Sequence, residues 1–182
     1  MLYVIVGRSG SGKTVVTEAL CKEFGYKTVW SYTTRPKRKP NEEGHIFISK
    51  AQYDALEDKI APVCYKGDYY CSTRSQLLNS DIYVAEPSAI DELLKEKIPF
   101  EVICFRVKEE TSIERMRNRG NSEKQIEERV KTDRVVFSET DSIMNPEVGY
   151  KKLQDKITYI SAEVSIEQVK DKVSKIIKGE KQ

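Results

Sequence analysis

The run Gly7-Arg8-Ser9-Gly10-Ser11-Gly12-Lys13-Thr14 follows the apolar segment Leu2-Tyr-Val-Ile-Val6 without a break, and it narrows the possible folds more than any other feature of the chain. The apolar segment reads as a buried strand. From Lys13 to about Phe24, the apolar Val16, Ala19, Leu20 and Phe24 fall on one face of a helix. A chain that leaves a buried strand and enters a helix within a few residues must turn sharply, and the small residues between them permit it. They also let the backbone N–H groups from Ser9 to Thr14 point inward, beside the positive end of the helix. Such an arc suits a row of phosphate groups. Lys13 adds a mobile full charge, and the Thr14 hydroxyl is placed to meet a Mg²⁺ ion bridging terminal phosphates. An ordinary glycine-rich turn is the competing explanation, and the setting between strand and helix favours the phosphate cradle, or P-loop.

At 182 residues the chain has the length of one compact domain. Its 31 basic and 29 acidic residues nearly cancel, so a net charge of +2 gives no general case for wrapping a nucleic-acid backbone. A nucleic-acid end kinase therefore finds no support from a basic groove. No apolar run is long enough to span a membrane, and the opening strand lacks the basic flank and cleavage site of a signal peptide, which makes the cytoplasm the expected location. Cys21, Cys64, Cys71 and Cys104 form no C-x-x-C pair, and the single His45 cannot complete a zinc site with them. They read as reduced thiols.

Further along, strands and helices alternate. Asp81 to Glu86 reads as a strand opening into a helix that starts at Pro87 and runs to about Lys97, and Phe100 to Val107 as a third buried strand. Glu109 to Arg119 reads as a helix stopped by Gly120, and Ser122 with Gln125 forms a capping-box start for the next. A short strand near Ile157 to Ile160 and an amphipathic helix from about Ile166 to Ile177 follow, with a frayed tail from Lys178. The pattern predicts an α/β fold with a parallel sheet flanked by helices. Between Trp30 and Thr73 it changes to short extended pieces, at Thr28 to Ser31, His45 to Ser49, Pro62 to Tyr65 and Asp68 to Ser72, with a small helix near Ala51 to Asp58 and a hairpin turn at Lys66-Gly67. This reads as an insertion into the sheet domain.

Several side chains beyond the loop carry chemistry. The forked guanidiniums of Arg35 and Arg38 suit a second phosphate or a carboxylate, although a solvated basic loop explains them equally well. Arg115 and Arg119 share a helix face, and Arg129 and Arg134 project from the next helix. Arginines closing over a transferring group would stabilise its charge, while a salt-bridged solvent face is the plainer account. Glu86 ends a buried strand where open α/β sheets place their ligand crevice, and it also fits as a helix-start charge. Tyr69, Tyr70, Ser72 and Thr73 combine aromatic area with hydroxyls, as a base-clasping surface or an ordinary strand pair would.

From the P-loop to roughly Glu139, and more loosely to the last helix, the chain resembles the guanylate kinases. Ser31-Tyr-Thr-Thr-Arg35-Pro-Lys-Arg38 is similar to the family's serine followed by T-T-R-x-P-R. Tyr69-Tyr70-Cys71-Ser72-Thr73 is similar to its Y-Y-G-[ST] run, and Arg115-Met-Arg-Asn-Arg119-Gly-Asn to its R-L-x-x-R-G-T run, with Arg129-Val matching a later R-L. The resemblance implies one domain over residues 1–182. Its core would be 1–30, 80–108 and 140–182, with an acceptor-binding insertion of short strands at about 31–75 and a helical lid at about 109–139. It implies a donor site at Gly7, Ser9, Gly10, Ser11, Gly12, Lys13 and Thr14, with Thr14 on the metal. The acceptor phosphate would be held by Arg35, Arg38 and Tyr70, the base would be contacted by Ser31 and Ser72, and Arg115, Arg119 and Arg129 would line the transfer site. Glu86 corresponds to the family's acidic position on the strand before the helix.

The implied activity is Mg²⁺-dependent transfer of the γ-phosphoryl group of ATP to a nucleoside monophosphate, GMP or dGMP, as a small-molecule acceptor. Lys13 and Arg35 would act with the three lid arginines in that transfer. Two departures bear on the acceptor. Gly44-His45-Ile46-Phe47 shortens the family's G-x-D-Y-x-F run, and Ala61 stands near the glutamate that reads guanine. In both respects the chain resembles ribose 1,5-bisphosphate phosphokinases, so phosphotransfer to that sugar is the alternative. A non-catalytic interaction module is a third, opposed by the intact Gly7, Gly12, Lys13 and Thr14.

Overall fold

The structure, a computed structural model, describes residues 1–65, 67–137, 153 and 156–180. Its elements are β1 (Leu2–Gly7), α1 (Lys13–Phe24), β2 (Ser31–Thr33), β3 (His45–Phe47), α2 (Lys50–Asp54), β4 (Lys59–Tyr65), β5 (Asp68–Thr73), α3 (Arg74–Leu78), β6 (Ile82–Val84), α4 (Ser88–Lys95), β7 (Phe100–Arg106), α5 (Glu109–Asn118), α6 (Glu123–Val136), β8 (Ile157–Ser161) and α7 (Ile166–Ile177).

Four strands form a parallel sheet in the order β6-β1-β7-β8, as the alternating pattern predicts. Side-chain alternation along β1 and β7 divides the core in two. Leu2, Val4, Val6, Phe100, Val102 and Cys104 face Ala89, Ile90 and Leu93 of α4. Ile5, Ile103 and Phe105 face Val16 and Leu20 of α1 and Val169 and Val173 of α7. Strands buried on both faces explain the unbroken apolar runs. The chain passes from β1 to β6 on one side and then crosses to β7 on the other, so the order reverses at β1. That reversal opens a crevice at the carboxyl end of β1, where Gly7 begins the loop.

A second sheet, in the order β3-β2-β5-β4, is built by residues 31–73. Only β2 and β3 run parallel in it. A bulge separates Ile60 from Val63 in β4. Ala61, at that bulge, has φ +50°, and Ile60 packs with the α4 side of the core. Thr28 bridges Ile82 at the edge of the first sheet instead of opening the second.

The structure departs from the pattern reading in several places. The small helix is Lys50–Asp54, shorter than expected, because the chain turns through φ +52° at Asp58 to start β4. The helix α3 was not expected, yet Thr73 and Gln76 form a full capping box there, as do Ser49 with Gln52 and Ser165 with Gln168. The box expected at Ser122 and Gln125 is present at α6. Strand β6 is confined to Ile82–Val84. Lys66 of the expected hairpin turn, most of the segment 138–155 and the last two residues lie outside the described residues. Among the described residues, no helix is long and apolar enough to cross a membrane.

Leu93 is fully buried between α4 and the sheet. Leu93→Ala is expected to lower the free energy of unfolding by about 2–5 kcal/mol in urea titrations, and a loss below about 0.5 kcal/mol, as at a surface position, would contradict this packing.

Candidate active site

The loop after β1 owes its shape to close packing. A Cβ on Gly7 would lie 2.8 Å from the Phe105 carbonyl oxygen, and one on Gly10 would lie 2.7 Å from that of Ser112. Gly10 also has φ +76°, in the region L side chains rarely adopt. The Ser11 N–H donates to the Arg8 carbonyl at 3.1 Å. The Lys13 ammonium folds back along the loop and donates to the Gly7 carbonyl, to the Arg8 carbonyl at 2.9 Å and to the Ser11 hydroxyl at 3.4 Å. Burial pushes Lys13 down to about 8, while Asp133, Cys104 and Glu86 act in the opposite direction. Thr14 is exposed in the first turn of α1.

Helices α5 and α6 close on the outer side of this loop. The Ser112 hydroxyl donates to the Ser9 carbonyl. Asp133 accepts from the Ser9 N–H at 2.8 Å and from the Ser9 hydroxyl at 3.2 Å. Arg115 donates to the carbonyls of Gly10 at 3.5 Å and Ala162 at 2.8 Å. Glu109 receives Arg8 at 3.3 Å and Arg134 at 2.5 Å, and the bond from Arg134 holds its carboxyl below the usual range. Arg119 lies close enough to Lys13 to disfavour its charge, and Arg129 is exposed on α6.

On the second sheet, Arg35 makes a two-pronged pair with Glu42, at 2.8 and 3.2 Å, and stacks over Phe47 at 5.3 Å. The Arg38 backbone N–H also donates to Glu42 at 2.5 Å, while the Arg38 side chain is exposed. The Arg35 bond, followed by that from the Arg38 N–H, pulls Glu42 down to about 2. The Ser31 and Ser72 hydroxyls lie 3.2 Å apart, and the Tyr83 hydroxyl joins them. Ser72 is fully buried there. His45 sits edge-on to Tyr70, with ring centroids 5.9 Å apart, and burial lowers its pKa.

Two cavities meet at Glu86. One, of about 220 Å³, is lined by Gly7, Ser9, Lys13, Glu86 and Asp133. The other, of about 280 Å³, is lined by Ser31, His45, Ala61, Tyr70, Tyr83 and Glu86. The structure thus brings Ser31, Tyr70 and Glu86 to one cavity and Ser9 and Lys13 to its neighbour. Ser72 lies behind Ser31, and Arg35 is engaged with Glu42. Sequence reasoning missed Ser112, Asp133 and Glu42. Asp133 had a usable signal, since it follows Arg129 by four residues and so shares its helix face. Ser112 and Glu42 offered none.

Comparison with known proteins agrees with this architecture. A family model described as an AAA domain matches residues 2–139. The guanylate kinase of Mycoplasma genitalium is 26% identical over 159 residues, covering 78% of this chain. The chain spans 65% of the length of that relative. The solved structure of guanylate kinase from Anaplasma phagocytophilum superposes with a TM-score of 0.60 at 16% identity, covering 99% of this chain and 85% of that one. The family match takes in the loop, the inserted sheet and the helix pair packed on the loop, and the chain belongs to the AAA domain family, as a divergent member with the guanylate kinase architecture.

Proposed function

We propose that this protein is an ATP-dependent nucleoside monophosphate kinase acting on GMP or dGMP. The observation that carries the reading is the shared wall at Glu86, where a cavity holding Lys13 meets one holding Ser31, His45 and Tyr70. Two phosphate-bearing ligands in those cavities would approach one another at their charged ends. The donor side fits a triphosphate, because Gly7 and Gly10 leave no room for a side chain between the loop and its neighbours and Thr14 stands exposed at the helix start. The Thr14 hydroxyl, exposed at the helix start, would hold Mg²⁺, which would supply neutralisation of the phosphates' charge.

In this reading the loop N–H groups and Lys13 hold the donor phosphates. Arg35 exchanges Glu42 for the acceptor phosphate, with Arg38 and Tyr70 beside it. An oxygen of that phosphate forms the new bond to the γ-phosphorus as the bond to the bridging oxygen of ADP breaks. No general base is needed, because the acceptor is already ionised, and positioning and electrostatics carry the rate. Residues 109–137 act as the lid, with Arg115, Arg119 and Arg129 closing over the transferring group. Ser31 contacts the base, and Ser72 supports Ser31 from behind.

A second reading follows from Ala61. It lines the acceptor cavity with Val63, Val84, Ala85 and Ala89, and an apolar wall offers no acceptor to the N–H edge of guanine. A site lacking that pairing loses discrimination. A phosphorylated sugar such as ribose 1,5-bisphosphate would not need it.

Release of ADP measured with GMP, dGMP, other monophosphates and ribose 1,5-bisphosphate separates the two readings, and turnover with the sugar alone would overturn the first. Lys13→Ala is expected to reduce kcat/KM for ATP by about a hundredfold or more, and undiminished turnover would sink the donor-site assignment. The pH profile of kcat/KM for ATP should be level below about 8 and fall above it, as Lys13 loses its proton. The contribution of Lys13 to stability moves the other way. Between about 8 and the ordinary lysine value, the unfolded chain holds the proton that the folded chain has released, so this group by itself favours folding as pH rises there. The buried Cys104 thiol, pushed up to about 12, acts against it above the ordinary thiol value. Alkaline loss of activity in a protein that melts no earlier would separate titration from unfolding.

A further inference from the structure

Every polar group of Ser9 is taken up by the two helices that pack on the loop. Its carbonyl accepts from Ser112, and its N–H and hydroxyl both donate to Asp133. Ser9 belongs to the arc of donors that faces a row of phosphates, and Asp133 lines the same cavity as Lys13. Its carboxylate also leads the side chains that favour the charged form of Lys13. A carboxylate so placed presents what a terminal phosphoryl group presents: acceptor oxygens and negative charge, met by a backbone N–H, a hydroxyl and a nearby ammonium.

The rest of the helix pair keeps Asp133 in this position. Arg134, the next residue, is bound to Glu109, which also holds Arg8 of the loop. Lys13 from α1 and Glu86 after β6 line the cavity with Asp133, Arg119 also acts on Lys13 there, and the Arg8, Glu109 and Arg134 network lies beside it. None of the cations in that network is bonded to the Asp133 carboxylate, whose hydrogen bonds go to Ser9.

We propose that Asp133 competes with the terminal phosphate of the donor for Ser9, so that a triphosphate must displace this carboxylate to engage the loop. Asp133 is then a positioning residue that sets the affinity and KM for ATP. The inference rests on the reading of Gly7 to Thr14 as the donor site. Two ligands for one set of donors exclude each other, and the internal one lowers the apparent affinity of the other by the share of time it holds them. A nucleotide too short to reach Ser9 escapes that competition.

Calorimetric titration of ATP and AMP into the unmodified protein, Asp133→Asn and Asp133→Ala tests this, with thermal melting to confirm that each is folded. ATP should bind Asp133→Ala about tenfold more tightly or better, the scale of one charge-assisted hydrogen bond. Asp133→Asn, which keeps the shape and loses the charge, should fall between. AMP should bind all three alike, and the KM for ATP should fall by a larger factor than any change in kcat. If Asp133→Ala does not fold, Asp133→Asn carries the comparison. Equal ATP affinities in the folded proteins, or a gain shared by AMP, would overturn the inference and leave the donor site standing. Failure of all three to bind ATP would overturn the donor-site reading and this inference together.

Discussion

The burial of one ammonium group organises this protein. Lys13 leaves the first turn of α1 and lies back against the carbonyls of Gly7 and Arg8, which fixes the loop at the carboxyl end of the central strand. The position is possible because β1 is paired on both sides and its neighbours hold Gly7 against Phe105. Burial disfavours the charge, and the carboxylates of Asp133 and Glu86 partly restore it. A cation that burial has made less comfortable gains more from an incoming anion than a fully hydrated one would, which suits a phosphate-binding group.

Carboxylates occupy hydrogen-bond donors on both sides of Glu86. Asp133 holds Ser9, and Glu42 holds Arg35 with the Arg38 N–H. Partly buried guanidinium and N–H donors would carry a desolvation penalty if left unmade, so a fold that assembles them also supplies partners. Glu42 belongs to the loop between β2 and β3 and Asp133 to α6, so a ligand that took over these donors would displace a segment of chain with each carboxylate.

The cavity beside β4 shows how a local backbone feature shapes a cavity wall. Ala61 has a left-handed conformation beside the β4 bulge, and it lines the cavity with a methyl group alone. Left-handed alanine is strained, and such strain persists where the surroundings over-determine it. Here they do so through Ile60, locked into the core, and the hairpin pairing with β5. His45 and Tyr70 line the same cavity and pack edge-on against each other. The cavity is thus aromatic and apolar along most of its surface, with Ser31, His45, Glu86 and Ser88 as polar points.

The sequence by itself determined the strand, loop and helix around Gly7 to Thr14, the parallel sheet and the bounds of α5 and α7. These follow from periodicity, small residues at a tight turn, and caps that act within a few residues. The same local logic covers α3, whose Thr73 and Gln76 box is legible in the sequence. Only the tertiary structure decided that Ser72 sits buried behind Ser31, that Arg35 turns to Glu42, and that Asp133 reaches Ser9 across 124 positions of chain. Those contacts depend on how α5, α6 and the second sheet dock against the first. Docking is set by the summed packing of many side chains, and no spacing rule along one segment encodes it.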